Sequence, residues 1–465
     1  MAKGSHWWAA AACAASLCLA PDAWAHSSDR GHVLLLPTGY YAVGGAIAVA
    51  LSFIILAFVP AARLAALARD AIAIVPMPRH GRALISLLSF ALLLVLVVAG
   101  LIGSRDPLSN PLPLVIWTLL WVGVTLTQSV AGDFWRGLNP WYGLYRLLRR
   151  DAAGPMTLPH RIGCWPAILF LFGFIWFELV YPAPEDPFSL ALAVASYWLV
   201  TFVLMLLFGY ESWTRSGEFL SIFFSMIARL SPFDGRSPML RLGRPGAKLV
   251  TAEPLPLSGT LFILLALASV SFDGLSKTFF WLGLNGINPL EFPGRSAIIG
   301  IGTAGLLLTF MLLSAIYFAA IFIGERLSGA PRPLAEAAGL LVWSLIPIAL
   351  AYHFSHYLVV FLVNLQYALV AASDPFALGW DLFGTAHLPI RAGIVAGAES
   401  AWIIWNAQAA AIILGHVLAV LIAHLLSVRL HGEERHATIA QSPLAILMVG
   451  YTVFGLWLLS TPTAG

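Results

Sequence analysis

The sequence predicts an all-α fold, a polytopic transmembrane helical bundle of about ten spans that follows a cleaved signal peptide. Three observations predict it. The 465-residue chain is 60% apolar and 10% charged, against about 45–50% and about 25% in ordinary soluble domains. Apolar runs of the roughly 20 residues that a membrane-crossing helix requires recur along its whole length. Its basic residues fall unevenly on alternate connections, which fixes an orientation.

Residues 1–25 carry Lys3, an apolar stretch from Trp7 to Ala20 and the small-x-small triplet Ala23-Trp24-Ala25, the pattern of a secretory signal peptide. Cleavage after Ala25 would leave His26 at the new N-terminus, followed by His32. An N-terminal histidine offers an α-amine and an imidazole together, a chelate suited to copper. It is also simply a polar residue after a cleavage site. Residues 26–465 then form a single transmembrane domain. Cys13 and Cys18 fall in the signal peptide, so Cys164 is the one thiol expected in the mature chain. That excludes an intrachain disulfide and a cysteine-based zinc site.

The spans are expected near 38–60, 84–103, 113–132, 164–182, 188–209, 256–273, 297–323, 336–360, 402–427 and 441–461. With the mature N-terminus outside, the inner connections hold 19 Lys and Arg and the outer ones five: Arg30, Arg105, Lys277, Arg295 and Arg391. The reverse orientation would violate the positive-inside rule. Both ends of the mature chain are therefore expected to be extracytoplasmic. The net charge of +3 is explained by topology and calls for no nucleic acid. The longest inner connection, 210–255, disperses six basic residues around the apolar stretch Phe219–Leu230 and reads as an amphipathic helix on the inner membrane surface.

Ionisable side chains within spans are costly and face a bundle interior or a cavity, so each is a candidate site residue. His353 and His356 share a face of the eighth span beside Tyr357, and His416 lies near the middle of the ninth. Three neutral imidazoles suffice for a catalytic zinc or copper ion with an open position for water. Glu178 and Asp273, at the outer ends of other spans, would complete the sphere or act as base. The alternative is that these histidines hydrogen-bond between helices or line a polar gap. Gly300-x-Gly302-x-x-Gly305 matches a dinucleotide fingerprint by letter, yet it lies within an apolar span with no preceding strand. It reads as helix-packing glycine.

Several segments together resemble one known family: Ala25-His26, Gly132–Trp141, Arg215–Phe219 running to Ser231-Pro232, and Ser271–Leu275. Tyr352–Tyr357, Ser373–Phe376, Gly379–Gly384, Gly415-His416 and Ala423-His424 add to them. The set is similar to bacterial multi-pass membrane proteins labelled fenitrothion hydrolase, although the opening His26-Ser27-Ser28-Asp29 differs from the His-Gly-Phe-Gly type. The resemblance implies membrane-bound hydrolysis of an organophosphorus ester, which makes an apolar phosphotriester-like ester the expected substrate and the lipid bilayer the expected surroundings. Two other classes use the same residues. A transporter would pass a copper-like ion or a small molecule along the histidines, and a haem-binding electron carrier would pair His353 or His356 with His416.

Overall fold

The structure, a computed structural model, describes residues 38–60, 63, 71–76, 81–149, 154–235, 239–395 and 397–463. The signal peptide and His26 lie outside the described residues. Among the described residues nine helices are long and apolar enough to cross a membrane, and a tenth, Trp165–Leu179, is apolar but shorter. In chain order we label α1 (Thr38–Leu56), α2 (Arg82–Ile102), α3 (Pro111–Ala131), α4 (Trp165–Leu179) and α5 (Pro187–Phe208). Then follow α6 (Phe219–Ile227), α7 (Leu257–Ser276), α8 (Ile299–Leu327), α9 (Leu334–Ser373), α10 (Ala398–His431) and α11 (Glu434–Ser460).

Position in the bundle follows composition. The most apolar spans, α2 and α8, leave most of their surface outside the protein, where lipid would meet it, whereas α7 and α9 are the most deeply buried. The buried pair carries Asp273, His353 and His356. This is the arrangement expected when the cost of a polar group in hydrocarbon drives it to the protein interior. Around this centre α7 packs on α4, α8 and α9, while α9 packs on α3 and α10, and α11 closes against α1, α8 and α10. Gly305, the last glycine of the fingerprint-like run, is a packing residue: a Cβ there would lie 2.5 Å from Phe272 and Trp281.

Two local features differ from expectation. Residues Phe219–Ile227 do not lie on a surface: Phe219, Leu220, Ile222, Phe223, Phe224, Met226 and Ile227 are all buried. Their rings pack on those of α3 and the segment after it, Phe223 stacking on Trp121 at 5.1 Å and Phe224 meeting Trp135 at 5.1 Å. Only Ser221 and Ser225, one turn apart on a single face, are less than fully buried, so the wide apolar face of this helix packs into the protein. Glu218 caps it, accepting from the N–H groups of Leu220 and Ser221. The second feature is a three-stranded antiparallel sheet, β1 (Ile72–Pro76), β2 (Phe233–Asp234) and β3 (Met239–Leu242), in the order β1-β3-β2. It ties two connections at one end of the bundle together.

At the opposite end Asp186 caps α5, accepting from Ser189 N–H at 3.0 Å, with Arg105 at 2.5 Å. Burial works to raise this carboxyl, but the Ser189 hydrogen bonds and the Arg105 charge prevail and hold it below the usual carboxylate range. A group depressed in the folded state stabilises above its unfolded pKa of about 3.9 and ceases to do so as pH falls through the lower folded value. Asp186→Ala is expected to cost about 0.5–2 kcal/mol near neutrality, the usual loss of an N-cap. In thermal unfolding in mild detergent, the gap between variant and wild type should begin to narrow below about pH 3.9 and go on narrowing as pH falls through the lower folded value; a gap independent of pH would contradict a charged cap.

Candidate functional site

The end of α7, the middle of α9, the end of α4 and the start of α3 enclose a polar cavity of about 80 Å³. Asp273 lies on the last turn of α7 and is 4% exposed. One of its oxygens, Oδ2, accepts from His356 Nε2 at 2.7 Å and lies 3.0 Å from the Tyr357 hydroxyl. The other, Oδ1, is 3.7 Å from Lys277 Nζ, one helical turn on. The Tyr357 hydroxyl also lies 2.8 Å from Glu178 Oε1, and Arg295 Nη1 donates to the Glu178 carbonyl at 2.8 Å. His356, Asp273, Tyr357 and Glu178 thus form one continuous chain of polar contacts, with Lys277 and Arg295 on the same cavity wall.

Hydrogen-bond arithmetic constrains this chain. A carboxylate only accepts, so His356 Nε2 carries a proton and Nδ1 is the nitrogen left for other chemistry. Tyr357 has one proton but faces two carboxyls. Both contacts are made at once when one carboxyl is itself protonated and donates back to the phenol oxygen. With Asp273 ionised against His356, the arrangement is met when Glu178 carries the proton and donates to the phenol oxygen, whose own proton goes to Asp273. Tyr357→Phe removes the bridge and brings the acidic pair together without a mediator. It is expected to cost about 1.5–3 kcal/mol of thermal stability, the scale of a hydrogen bond to a charged group. Wild-type stability in unfolding scans would contradict this bridging role.

No known family, curated protein or solved structure matches this chain. The site must therefore be judged on its own geometry, and this separates the residues proposed from spacing. Asp273, Glu178 and His356 come together. His353, one turn from His356, packs on the same Tyr357 ring, at 4.8 Å against 4.7 Å for His356, but its Nε2 donates to the Trp121 carbonyl at 3.0 Å and its ring stands edge-on to that indole. His416 is fully buried, its Nδ1 donating to Ile412 O at 2.8 Å and its ring packed near Tyr352 and Tyr451. Among the described residues no three His, Cys, Asp or Glu side chains are gathered to hold a metal ion. Of the residues expected to hold zinc or copper, His353 bonds the Trp121 carbonyl, His356 bonds Asp273 and His416 bonds the Ile412 carbonyl, while His26 lies outside the described residues. Among the described residues the ring contacts of His416 are with Tyr352 and Tyr451, not with His353 or His356. His424 hydrogen-bonds Gln441 between α10 and α11, as an interhelical histidine would.

Sequence reasoning missed Trp117, and it treated Lys277 and Arg295 only as topological charges. The signal for Lys277 was present, since Asp273 and Lys277 are one turn apart on a helix end. Trp117 carried no such signal. It reaches the site because α3 winds as a π-helix over Leu114–Val124, a form that occurs at functional sites more often than elsewhere. Its indole N–H donates to the Pro184 carbonyl at 3.1 Å, which fixes the ring at the cavity edge.

Proposed function

We propose that the Glu178–Asp273–His356–Tyr357 cluster is a general acid–base site that hydrolyses an apolar phosphotriester-like ester on the extracytoplasmic side of the inner membrane. The observation that carries the reading is the His356–Asp273 pair. A buried carboxylate fixes the ring through Nε2, while the ring remains 26% exposed to the cavity. The side of the membrane rests on the distribution of Lys and Arg, and the ester class on the sequence resemblance, two of whose segments, Ser271–Leu275 and Tyr352–Tyr357, meet in this cavity.

In this reading His356 Nδ1 takes a proton from water as its oxygen attacks phosphorus. The new P–O bond forms as the bond to the aryloxide or alkoxide breaks. Asp273 supports the imidazolium that develops, as a carboxylate does when it orients a histidine base. The Glu178 carboxyl proton is relayed through Tyr357 to the leaving oxygen, and the His356 imidazolium then returns its proton through Asp273 and Tyr357 to Glu178, which restores the site. Lys277 and Arg295 supply positive charge where the phosphoryl oxygens gain negative charge. Since His353, His356 and His416 bond separate partners, no step is routed through a metal.

The test is release of 4-nitrophenolate from diethyl 4-nitrophenyl phosphate by the full chain purified in mild detergent. Turnover is expected in wild type and lost in His356→Gln. Undiminished turnover in that variant would overturn the assignment of His356. Elemental analysis addresses the metal alternative: about one zinc or copper per chain, lost in His353→Ala and in His416→Ala, would replace this mechanism by a metal-dependent one. A proton-coupled transporter is the second reading, favoured by the pair of carboxyls that Tyr357 bridges within the bundle. It predicts no turnover in detergent and substrate uptake only in sealed vesicles.

A further inference from the structure

Behind Trp117 lies a second, larger cavity of about 400 Å³, enclosed by α3, α4, α5 and the start of α6. That volume is within the roughly 300–1,000 Å³ typical of small-molecule sites. Its wall is almost wholly apolar. Phe174 and Phe177 from α4 flank Trp117, with ring centroids 5.3 and 6.3 Å away. The Tyr197 ring contributes to the far end, but its hydroxyl is held by Glu218 at 2.5 Å. Leu169 and Val200, also on the wall, are exposed on the flank of the bundle, so the chamber reaches the surface that lipid would cover. From Leu169 to Phe177 on α4, and from Leu190 to Val200 on α5, it extends about 12–15 Å at a rise of about 1.5 Å per residue.

The two cavities share Trp117 as a common wall. Phe177 lines the apolar chamber, whereas its neighbour Glu178 lines the polar one. We infer that the chamber holds the apolar limb of an amphiphilic neutral ester that enters from the lipid, while its polar head crosses Trp117 into the acidic cavity. This rests on the acid–base reading for the identity of the head and names the substrate class more narrowly: an ester with one extended apolar limb. A compact ester would fill the polar cavity and leave the chamber unused.

Binding can be read without turnover. The probe is a diethyl alkyl phosphate with a decyl chain bearing a diazirine, photolysed with the full chain in lipid nanodiscs and mapped by peptide mass spectrometry. Label is expected on α4 and α5 at the chamber wall, competed by unlabelled diethyl decyl phosphate and not by triethyl phosphate. Gly173 lines the chamber, and a Cβ there meets no atom within 4 Å, so Gly173→Phe adds a ring at the chamber edge without displacing packed protein. It should lower the competed label by about tenfold, a loss of about 1.4 kcal/mol in binding. Ala193→Phe does the same from α5 should the first variant prove unstable. Asp273→Asn should keep the label while losing turnover.

Label spread over lipid-facing side chains and indifferent to competitor and to both Phe variants would overturn the inference and leave the acid–base site standing. Chamber label in a wild-type protein that hydrolyses nothing would support the chamber and sink the hydrolytic reading instead.

Discussion

Asp273→Asn is expected to lower turnover of an aryl phosphotriester by about 10²–10⁴-fold, the range over which a positioned general base acts. The reason is that three groups depend on this one carboxylate: His356 for its orientation, Tyr357 for one end of its bridge, and Lys277 for its neighbouring counter-charge. An amide of the same shape keeps the side chain in place. It cannot support an imidazolium, and its NH2 group can turn His356 into the wrong tautomer. The comparison to make is kcat for wild type and variant in detergent, alongside unfolding midpoints that show both are folded. A fall of less than about threefold, under 1 kcal/mol in barrier, would remove Asp273 from the machinery.

A large effect on helix packing is expected from Gly324→Val, where α8 crosses α11. A Cβ at Gly324 would stand 2.0 Å from the Ala440 carbonyl oxygen and 3.4 Å from Pro443 Cδ. The obstacle is backbone, so no rotamer change relieves it, and the helices must move apart. Small residues at helix crossings in membranes allow this close approach, and overpacking a tight contact costs about 1–3 kcal/mol. Gly300→Val on the same helix is the control, because a Cβ there meets nothing within 4 Å. Thermal unfolding in mild detergent should separate the two variants clearly. Equal midpoints would show that the α8–α11 contact yields easily.

The spans were legible because lipid imposes one simple rule: long apolar runs must close their own backbone hydrogen bonds. The expected span at 164–182 is an apolar helix of 15 residues, Trp165–Leu179, shorter than the nine that are long enough to cross. Asp273, Glu178 and His356 were legible as candidates because ionisable groups stand out in an apolar sequence. Their grouping was not, since it depends on how α4, α7 and α9 rotate about their axes. His353 shows the limit well. Its spacing from His356 promises a shared face, yet a single carbonyl on α3 captures its ring. The burial of Phe219–Ile227 was likewise hidden, because the basic residues flanking it resemble a surface helix until Trp121 and Trp135 are seen to cover it.

That short helix also bears on how the molecule is made. Phe219–Ile227 is too short to cross a bilayer, and it contacts α3 and α4, which precede it, and α9, which follows it. During synthesis, the chain up to α8 would emerge with one wall of this pocket missing and its phenylalanines uncovered. Seating it is then a late event that waits for residues beyond Leu334. A chain truncated after residue 333 should be cleaved by protease within 210–232, whereas the full chain resists; equal resistance would mean that α3 and α4 suffice to hold it.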